Sequence, residues 1–297
     1  MQSAYAPLPP ETEHLAPGSL WVCLPNEPYV VPATLSPLLL YVLTGDLVVE
    51  DASVVSAQPA PHRQLPRFSV CGGTRGVRRL QAAPGTQVLL TPVQTGQCFS
   101  LLGLYAGELF DRLVDAADLL PAATLTRLHE QMDAAQWSAC AAMPGGGAAL
   151  GVWHRFLCAL HRMNHFRHPS DKGLVLPLGC LDTPISELAQ RWSLSVRQFE
   201  RRFFCTHGQS LRAYRQQSRC SRMLTQLAGA LGQPHSWADT AAGAGYADQA
   251  HLSRDVLRFT GHTPAALLAG VREQDPALWP FHLSPQVMPR WFGPHGY

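Results

Sequence analysis

The pattern of hydrophobic and polar positions divides the chain into a strand-rich first part and a helix-rich second part. Between residues 20 and 110, short apolar or alternating runs are separated by turn signals such as Gly-Asp, Gly-Gly and Pro-Gly, which is typical of β-strands. The runs are SLWVCL, LLLYVLTGDLVVE, RFSVCG, QVLLTPV and CFSLLGLY. Several short strands at this spacing predict a barrel or a jelly-roll-like sheet.

From residue 107 the pattern becomes helical. The runs GELFDRLVDAADLL (107–120) and AATLTRLHEQMDAA (122–135) predict two helices. The Gly-rich stretch 141–151 is the strongest boundary signal, and a basic connecting helix is expected over 152–168, followed by a loop over 169–179. Short helices are predicted from there to residue 271. The Pro- and aromatic-rich tail, residues 273–297, either wraps onto the protein surface or is a loose end.

The stretch TPISELAQRWSLSVRQFERRF (183–203) has the features of a helix-turn-helix. Thr183 followed by Pro184 predicts an N-cap and a first-turn proline. Ser195 and Gln198 form a capping-box pattern at the start of the second helix. The two helices are short, are joined by about three residues, and carry the small residue Ala189 where they cross, as this motif requires.

A second stretch, SWADTAAGAGYADQAHLSRDVLRF (236–259), repeats this pattern. Ala241 precedes the turn residue Gly245 by four positions, as Ala189 precedes Ser193. The second copy has one extra residue in its turn. Three side chains of its second helix lie 53 residues after their counterparts: Leu252, Arg254 and Val256 after Phe199, Arg201 and Phe203. Two such motifs with matching spacing indicate a helix-turn-helix pair far more strongly than one motif would.

The segment between the two motifs, residues 209–228, predicts one long helix rich in arginine. About eighteen helical residues at 1.5 Å per residue make a rod of roughly 27 Å, which can hold two recognition helices about one DNA turn, roughly 34 Å, apart. Charge supports a polyanionic partner. Residues 183–271 carry 10 Arg against 5 Asp and Glu, whereas residues 1–150 carry 7 Arg against 12.

These residues together resemble the DNA-binding domain of the AraC/XylS family of transcription regulators. The resemblance is carried by Asp239, Ala241, Gly245-Tyr246, Asp248-Gln249, His251-Leu252, Ser253-Arg254, Phe259, Gly261 and Thr263-Pro264. It implies a sequence-specific regulator whose two helix-turn-helix units enter successive major grooves of double-stranded DNA. The chain departs from the family pattern at Thr240, at Val256 and at Gln209-Ser210, where local stability differs from the family's.

By that resemblance, each recognition helix presents four side chains to a major groove. The candidate base contacts are Arg197, Gln198, Glu200, Arg201, Gln249, Ala250, His251 and Arg254. The candidate phosphate contacts are Arg202, Arg212, Arg215, Arg219 and Arg258. Three alternatives stay open. Arg254 binds a phosphate instead, His251 is a buried helix-start residue, or Glu200 pairs with Arg201.

The strand-rich part resembles the variable sensor halves of some of these regulators, so the expected fold class is α+β. An N-terminal β-rich, jelly-roll or cupin-like domain with flanking helices precedes an all-α domain of two helix-turn-helix units joined by a long helix. The expected divisions are 1–145 for effector binding or dimerisation, 146–178 for a linker helix and loop, 179–272 for DNA binding, and 273–297 for the tail. The expected partners are double-stranded DNA, a small effector, RNA polymerase and a second copy.

Cytoplasmic localisation without membrane contact is expected, because the longest apolar run (35–43) is too short to span a bilayer and no signal-peptide pattern begins the chain. Eight scattered cysteines without a C-x-x-C pair favour free thiols over disulfides or zinc. We expect no cofactor and no enzymatic activity, since the chain lacks a P-loop, G-x-G-x-x-G and G-x-S-x-G.

Two alternative functions remain. One is a thiol- or metal-responsive sensor that uses the cysteines or the histidines of the connecting helix, His154, His161, His165 and His168. His161 and His165 are one helical turn apart, although no carboxylate or cysteine at helical spacing completes a tetrahedral site. The interpretation as a basic polar linker is favoured. The other alternative is a DNA-repair enzyme that carries this DNA-binding module.

Overall fold

Two antiparallel β-sheets form the first part of the chain. The computed structural model describes residues 2–50, 62–139, 146–165, 173–229, 236–283, 287, 288 and 291. Its strands are β1 (Ser3–Ala6), β2 (Ser19–Cys23), β3 (Tyr29–Val31), β4 (Leu38–Thr44), β5 (Leu47–Glu50), β6 (His62–Gln64), β7 (Phe68–Cys71), β8 (Arg78–Ala82), β9 (Gln87–Pro92) and β10 (Leu113–Asp115). One sheet has the order β1-β2-β9-β4-β7-β10 and the other β3-β8-β5-β6, which confirms the predicted α+β class with a β-rich first domain.

The side chains of strand β4 contribute to two hydrophobic cores, one on each face of the sheet. Successive side chains of a strand point to opposite faces, and here both faces are covered. Leu39 and Tyr41 face a core shared with helices, whereas Leu40 and Val42 face the space between the two sheets. Because β4 is buried on both sides, its sequence is continuously apolar instead of alternating.

Four helices cover the outer face of the larger sheet. They are α1 (Cys98–Leu102), α2 (Ala106–Leu109), α3 (Ala122–Ala139) and α4 (Gly147–His165). The prediction of a strand at 98–105 was wrong, because α1 occupies most of that run and ends at Gly103, whose φ is +73°. The helix predicted over 107–120 was also wrong. Asp111 has a φ of +59°, so the chain leaves the helical conformation and forms β10.

Helix α4, which the sequence suggests is a linker, packs into the first core along its length. Trp153 is fully buried there, and its indole Nε1 donates to Thr91 Oγ1 of β9 at 2.7 Å. Thr91 Oγ1 in turn lies 2.7 Å from Ser19 Oγ. This buried hydrogen-bonded group fixes α4 against the sheet, since leaving any one of these polar atoms unpaired would be costly.

Six helices follow among the described residues, and they confirm the all-α second part. They are α5 (Ile185–Arg191), α6 (Val196–His207), α7 (Leu211–Gly229), α8 (Trp237–Gly243), α9 (Gln249–Thr260) and α10 (Pro264–Arg272). Pro184, not Thr183, occupies the N-cap position of α5, and no side chain caps that helix. The predicted cap at Ser195 is confirmed. Ser236 caps α8, and Thr263 caps α10, which begins at Pro264.

The described part of the tail is neither loose nor superficial. A 3₁₀ turn over Pro276–Phe281 follows α10, and its side chains enter the core between the two sheets. Trp279 and Trp291 are 5% and 7% exposed. The tail therefore joins the end of the helical part to the interior of the β-rich part.

Candidate nucleic-acid interface and an apolar cavity

The two helix-turn-helix motifs share one backbone geometry. We call α5–α6 the first unit and α8–α9 the second unit. In the first, Ser193 has a φ of +54°, and Leu194 N donates to Ala189 O at 2.9 Å. In the second, Gly245 has a φ of +73°, and Tyr246 N donates to Ala241 O at 2.8 Å. The same left-handed turn therefore closes both motifs.

Helix α6 has one buried face and one exposed face. Phe199 and Phe203 are buried, and they anchor the helix by their stacked rings. The four predicted base contacts of this helix, Arg197, Gln198, Glu200 and Arg201, are all exposed, as is Arg202. Gln198 Oε1 accepts from Ser195 N at 2.9 Å. The helix start thus positions one of the candidate base contacts by a capping box.

Helix α9 begins with a different cap and exposes a thinner edge. Asp248 Oδ1 accepts from His251 N at 2.6 Å. Gln249, Ala250 and Arg254 are exposed, and Arg254 Nε donates to Ala250 O at 3.3 Å. His251 is half-buried, with its ring edge-on to that of Tyr246 at 5.2 Å. Its side chain is therefore partly buried and in contact with one aromatic ring.

A groove of about 760 Å³ lies between the two recognition helices, along α7. Arginines of α6 and α7 line this groove, together with an imidazole of α9. Six of the predicted DNA contacts line it: Glu200, Arg201, Arg212, Arg215, Arg219 and His251. Arg202 and Arg258 are exposed but do not line the groove. No ion pair links Glu200 to Arg201 among the described residues, so their charges remain available to a partner.

Two of the groove arginines are held by neighbours. Arg215 donates to the backbone carbonyl of Thr183 at the start of the first unit. The guanidinium of Arg219 lies over the ring of Tyr246, 5.4 Å from its centroid, in the second unit. Such contacts restrict long side chains in advance, which lowers the entropy lost when they bind phosphate. Arg212 is exposed and makes no such contact among the described residues.

The space between the two sheets contains an apolar cavity of about 90 Å³. Aliphatic side chains of β4, β5, β8 and β9 form most of its wall, and Trp279 and Trp291 of the tail close it. Four further residues contribute polar side chains to the wall: Thr34, Ser36 and Thr74 from loops, and Arg78 from the start of β8. Ser36 is 5% exposed, and its hydroxyl has no hydrogen-bond partner among the described residues.

Segments at the edge of this cavity contact the helix-turn-helix part directly. Ala33 N donates to Phe259 O, at the end of α9, at 2.8 Å. Gln217 Nε2 of α7 donates to the carbonyl of Thr74 at 3.0 Å. Gln209 Nε2 donates to Gln217 Oε1 at 3.2 Å, so one residue that departs from the family pattern belongs to this buried bridge. Hydrogen bonds therefore join the edge of the cavity to the DNA-binding helices α7 and α9.

A family model described as a helix-turn-helix domain matches residues 188–270. This span covers both units and the helix that joins them. Residues 188–270 are an AraC/XylS-type DNA-binding domain. The chain that carries this domain is a DNA-binding transcription regulator, as the sequence predicts. No curated protein sequence matches the chain.

The fold is similar to solved structures of ToxT from Vibrio cholerae. An apo form of a ToxT variant is 11% identical, with 85% of this chain and 96% of that chain covered at a TM-score of 0.45. A P21 crystal form is 9% identical, with 90% and 97% covered at a TM-score of 0.44. A ToxT structure bound to unsaturated fatty acid is 11% identical, with 84% and 92% covered at a TM-score of 0.42. At this level of identity, the candidate contacts rest on the chain's own geometry.

One pair of exposed apolar residues on the AraC-type domain was not predicted from the sequence. Phe204 and Leu257 are 52% and 49% exposed, and they occupy equivalent positions, 53 residues apart. Each follows a candidate base-contact arginine by three residues, so both lie on the same helix face as that arginine. Helical spacing from Arg201 and Arg254, combined with the repeat, was the signal that could have identified them.

The residues of the sensor alternative are dispersed. No three His, Cys, Asp or Glu side chains converge on a possible metal site within the described ranges. His161 packs edge-on against His14, with the ring centroids 5.1 Å apart. The side chain of His165 and all of His168 lie outside the described residues. Burial raises the pKa of the Cys98 and Cys220 thiols to about 12, so these two stay protonated and unreactive.

Among the described helices, none is both long and apolar enough to span a bilayer.

Proposed function

We propose that the two units enter successive major grooves on one face of the duplex. The observation that carries the proposal is the repeated turn geometry, with a basic groove lying between the two recognition helices. Helix α7 has 19 residues, and it is therefore about 28 Å long at 1.5 Å per residue. That length suits a separation of about one helical turn of DNA.

The exposed side chains of α6 and α9 have the chemistry of base contacts. Arginine binds the O6 and N7 of guanine, glutamine binds adenine, and glutamate accepts from the amino group of cytosine. Arg201 and Arg254 are the proposed guanine contacts, and Gln249 is a proposed adenine contact. The remaining proposed base contacts are Arg197, Gln198, Glu200, Ala250 and His251.

Phe204 and Leu257 extend this proposal with apolar contacts. Both are large apolar side chains exposed on the recognition face, one turn after Arg201 and Arg254. The C5-methyl group of thymine is the apolar feature that the major groove offers to such side chains. A thymine next to each contacted guanine is therefore the base step that this face fits.

The arginines around the groove contribute affinity for DNA that does not depend on the base sequence. Arg212, Arg215 and Arg219 line the groove, and Arg202 and Arg258 extend the basic surface beyond it. Contacts from arginine to phosphate release counterions, so binding should weaken steeply with salt. Each phosphate contact contributes about one to the slope of log affinity against log salt.

This assignment is tested with the full chain and a selected operator duplex, by fluorescence anisotropy at several salt concentrations. Arg212→Ala should reduce the salt slope by about one and weaken all sequences alike. Arg127→Ala, on helix α3 of the β-rich domain, is the matched control and should leave the slope unchanged. A slope that does not differ between these variants would contradict the phosphate role.

We also propose that a small apolar effector binds the cavity between the sheets and controls DNA binding. The support is the position of the cavity, whose wall residue Thr74 is hydrogen-bonded to α7 of the AraC-type domain. A ligand shifts DNA affinity only if it favours one arrangement of the two parts over the other. The bridge through Gln217 offers a physical route for that preference.

A thermal-shift screen of small apolar compounds tests the effector site. A binder should raise the unfolding temperature of the wild-type chain, since a ligand stabilises the state that binds it. Leu90→Phe, which adds volume to the cavity wall, should abolish that rise while leaving operator binding intact. If every compound that stabilises the wild type stabilises Leu90→Phe equally, the cavity is not the effector site.

RNA polymerase and a second copy of the chain are further proposed partners, and the cytoplasm is the proposed location. Light scattering with and without operator duplex distinguishes one bound copy from two. An interaction with polymerase would be detected by co-migration on the operator. The absence of enzymatic activity and of a cofactor remains an expectation.

A further inference from the structure

The tail completes the wall of the cavity from the opposite end of the chain. Trp279, Pro280, Leu283 and Trp291 line the cavity together with the two sheets. Trp279 lies edge-on to Tyr29 of β3, with the ring centroids 5.8 Å apart. Phe281 and Met288 of the same tail face the other way, towards α7 and α10. One short segment therefore contacts both the proposed effector site and the DNA-binding helices.

The free volume is too small for an effector of ordinary size while the tail is in place. Ligand sites for small molecules are usually about 300–1,000 Å³, whereas the cavity has about 90 Å³ free. An engineered cavity of about 150 Å³ accommodates benzene. The space left by the tail is thus smaller than that needed for one aromatic ring. We call the apolar space between the sheets, including the volume that Trp279 and Trp291 fill, the chamber.

Some polar atoms of the chamber have no hydrogen-bond partner among the described residues. Besides the Ser36 hydroxyl, the indole Nε1 of Trp291 has no hydrogen-bond partner among the described residues, although the side chain is 7% exposed. Buried polar groups are normally hydrogen-bonded, and leaving them unpaired costs free energy. A bound molecule with a hydrogen-bonding group would remove this cost at Ser36, and displacement of the tail would remove it at Trp291.

We propose that Trp279 and Trp291 occupy the effector site as an internal ligand, and that a planar aromatic, largely apolar molecule with a hydrogen-bonding group displaces them. This inference rests on the proposed effector function of the cavity. The indole rings define the ligand class, because they show which shape and polarity this chamber accepts. The hydroxyl of Ser36 is the group that the ligand engages.

Displacement of the two indoles changes the DNA-binding domain through the rest of the tail. The Leu278 side chain packs closely against Gly270 of α10. Phe281 and Met288 fill the space beside Leu224 of α7 and Leu267 of α10. Withdrawal of the indoles from the chamber disturbs these contacts of the tail with α7 and α10. Ligand binding therefore changes the packing around the second unit. A chain without the two indoles should therefore imitate the ligand-bound state.

The test uses 1-anilinonaphthalene-8-sulfonate as an aromatic probe, titrated into the full chain and followed by its fluorescence. Trp291→Ala and the double variant Trp279→Ala/Trp291→Ala should bind the probe at least tenfold more tightly than the wild type. Phe281→Ala is the matched control, an equally buried aromatic of the same tail that faces the helices, and its affinity should change less than twofold. Trp291→Leu, which keeps the site apolar, is the second variant where the alanine variants do not fold.

A second readout is operator affinity without the probe. The double variant should match the wild type saturated with probe, and added probe should change it less than twofold. Equal gains in probe affinity for Phe281→Ala and Trp291→Ala, or no gain for either tryptophan variant, would overturn the tail proposal. If the wild type binds the probe as tightly as the double variant, and Leu90→Phe blocks both, the effector site stands and the tail proposal fails. If no variant binds the probe in a manner that Leu90→Phe blocks, both proposals fail.

Discussion

The two helix-turn-helix units have the same turn but different surroundings. The first unit packs in a separate core with Leu35 and with Leu174, Leu176 and Leu181 of the segment that precedes it. The second unit shares one continuous core with the inner faces of the two sheets and with the tail. A repeat that is nearly symmetric in sequence is therefore asymmetric in its attachment to the rest of the chain.

This difference indicates which unit an effector can influence. The first unit is fixed by close backbone packing of Gly107 in α2 against Cys205 and Gly208 at the end of α6, where a Cβ atom would collide. The second unit contacts the edge of the cavity through the Ala33–Phe259 hydrogen bond, since Ala33 lies between the wall residues Pro32 and Thr34. We expect the first unit to be a fixed anchor, and the second to change position when the cavity is filled.

The largest expected effects come from replacing one large core side chain by alanine at equivalent positions of the two units. Phe199→Ala should lower the free energy of unfolding by about 3–5 kcal/mol and Leu252→Ala by about 2–5 kcal/mol, measured by urea denaturation. The comparison is sharpened by the aromatic probe. Leu252→Ala should strengthen probe binding, because its core is continuous with the cavity wall, and Phe199→Ala should not. The same probe response from both variants would show that the two cores are not separate.

Acid should loosen the first unit before the second. His207 is buried between Phe203 and Tyr214, and burial lowers its pKa to about 4. Its Nε2 donates to Leu174 O at 3.0 Å. In the unfolded chain the pKa is about 6.5, so below that pH the unfolded state binds a proton that the folded state excludes. The contribution of neutral His207 to the free energy of unfolding is therefore fully present above about pH 6.5. It is lost as the pH falls towards 4, which lowers the free energy of unfolding by up to about 3 kcal/mol.

Native-state hydrogen exchange at pH 7 and pH 5 checks this. The amides around Phe203 should lose protection at pH 5, while those around Val256 lose less. His207→Gln retains a donor for the Leu174 carbonyl and should remove most of the difference between the two units. Equal loss of protection in both units would contradict a local effect of His207.

Arginine substitutions test whether each unit reads its own half-site. Arg201→Ala and Arg254→Ala should each weaken operator binding by about 1–3 kcal/mol and relax the preference at one base pair only. We expect the smaller loss for Arg254, because its guanidinium also donates to its own helix backbone. Anisotropy on operators with one half-site altered measures both effects. Loss of preference at both half-sites from one substitution would show that the units do not act separately.

The smallest expected effect concerns the polar bridge to the cavity. Gln217→Met keeps the volume but removes two hydrogen bonds, the one to Thr74 O and the one from Gln209 Nε2, and it should lower stability by about 1–2 kcal/mol. It should also reduce the effect of the probe on operator affinity, because that bridge joins α7 to the cavity edge. Gln216→Met, which removes a hydrogen bond to Asp255 within the DNA-binding domain, is the control. An unchanged probe effect in Gln217→Met would exclude this route.

The sequence predicted the DNA-binding part well because its signals are local. A capping box at Ser195 and a left-handed glycine at Gly245 require only neighbouring residues, and the 53-residue repeat marks both units. Positions decided by distant contacts were not predictable. The short apolar run at α1 fits a helix or a strand equally, and its packing against α4 decides between them. The tail's place in the cavity depends on chain segments more than 160 residues away.

The central claim, that two units contact two successive major grooves, is tested most directly by selecting bound duplexes from a random DNA pool with the full chain. We predict two enriched blocks with centres about 10–10.5 base pairs apart, with Arg201→Ala degrading one block and Arg254→Ala the other. A single enriched block, or no enrichment at low salt, would contradict the claim.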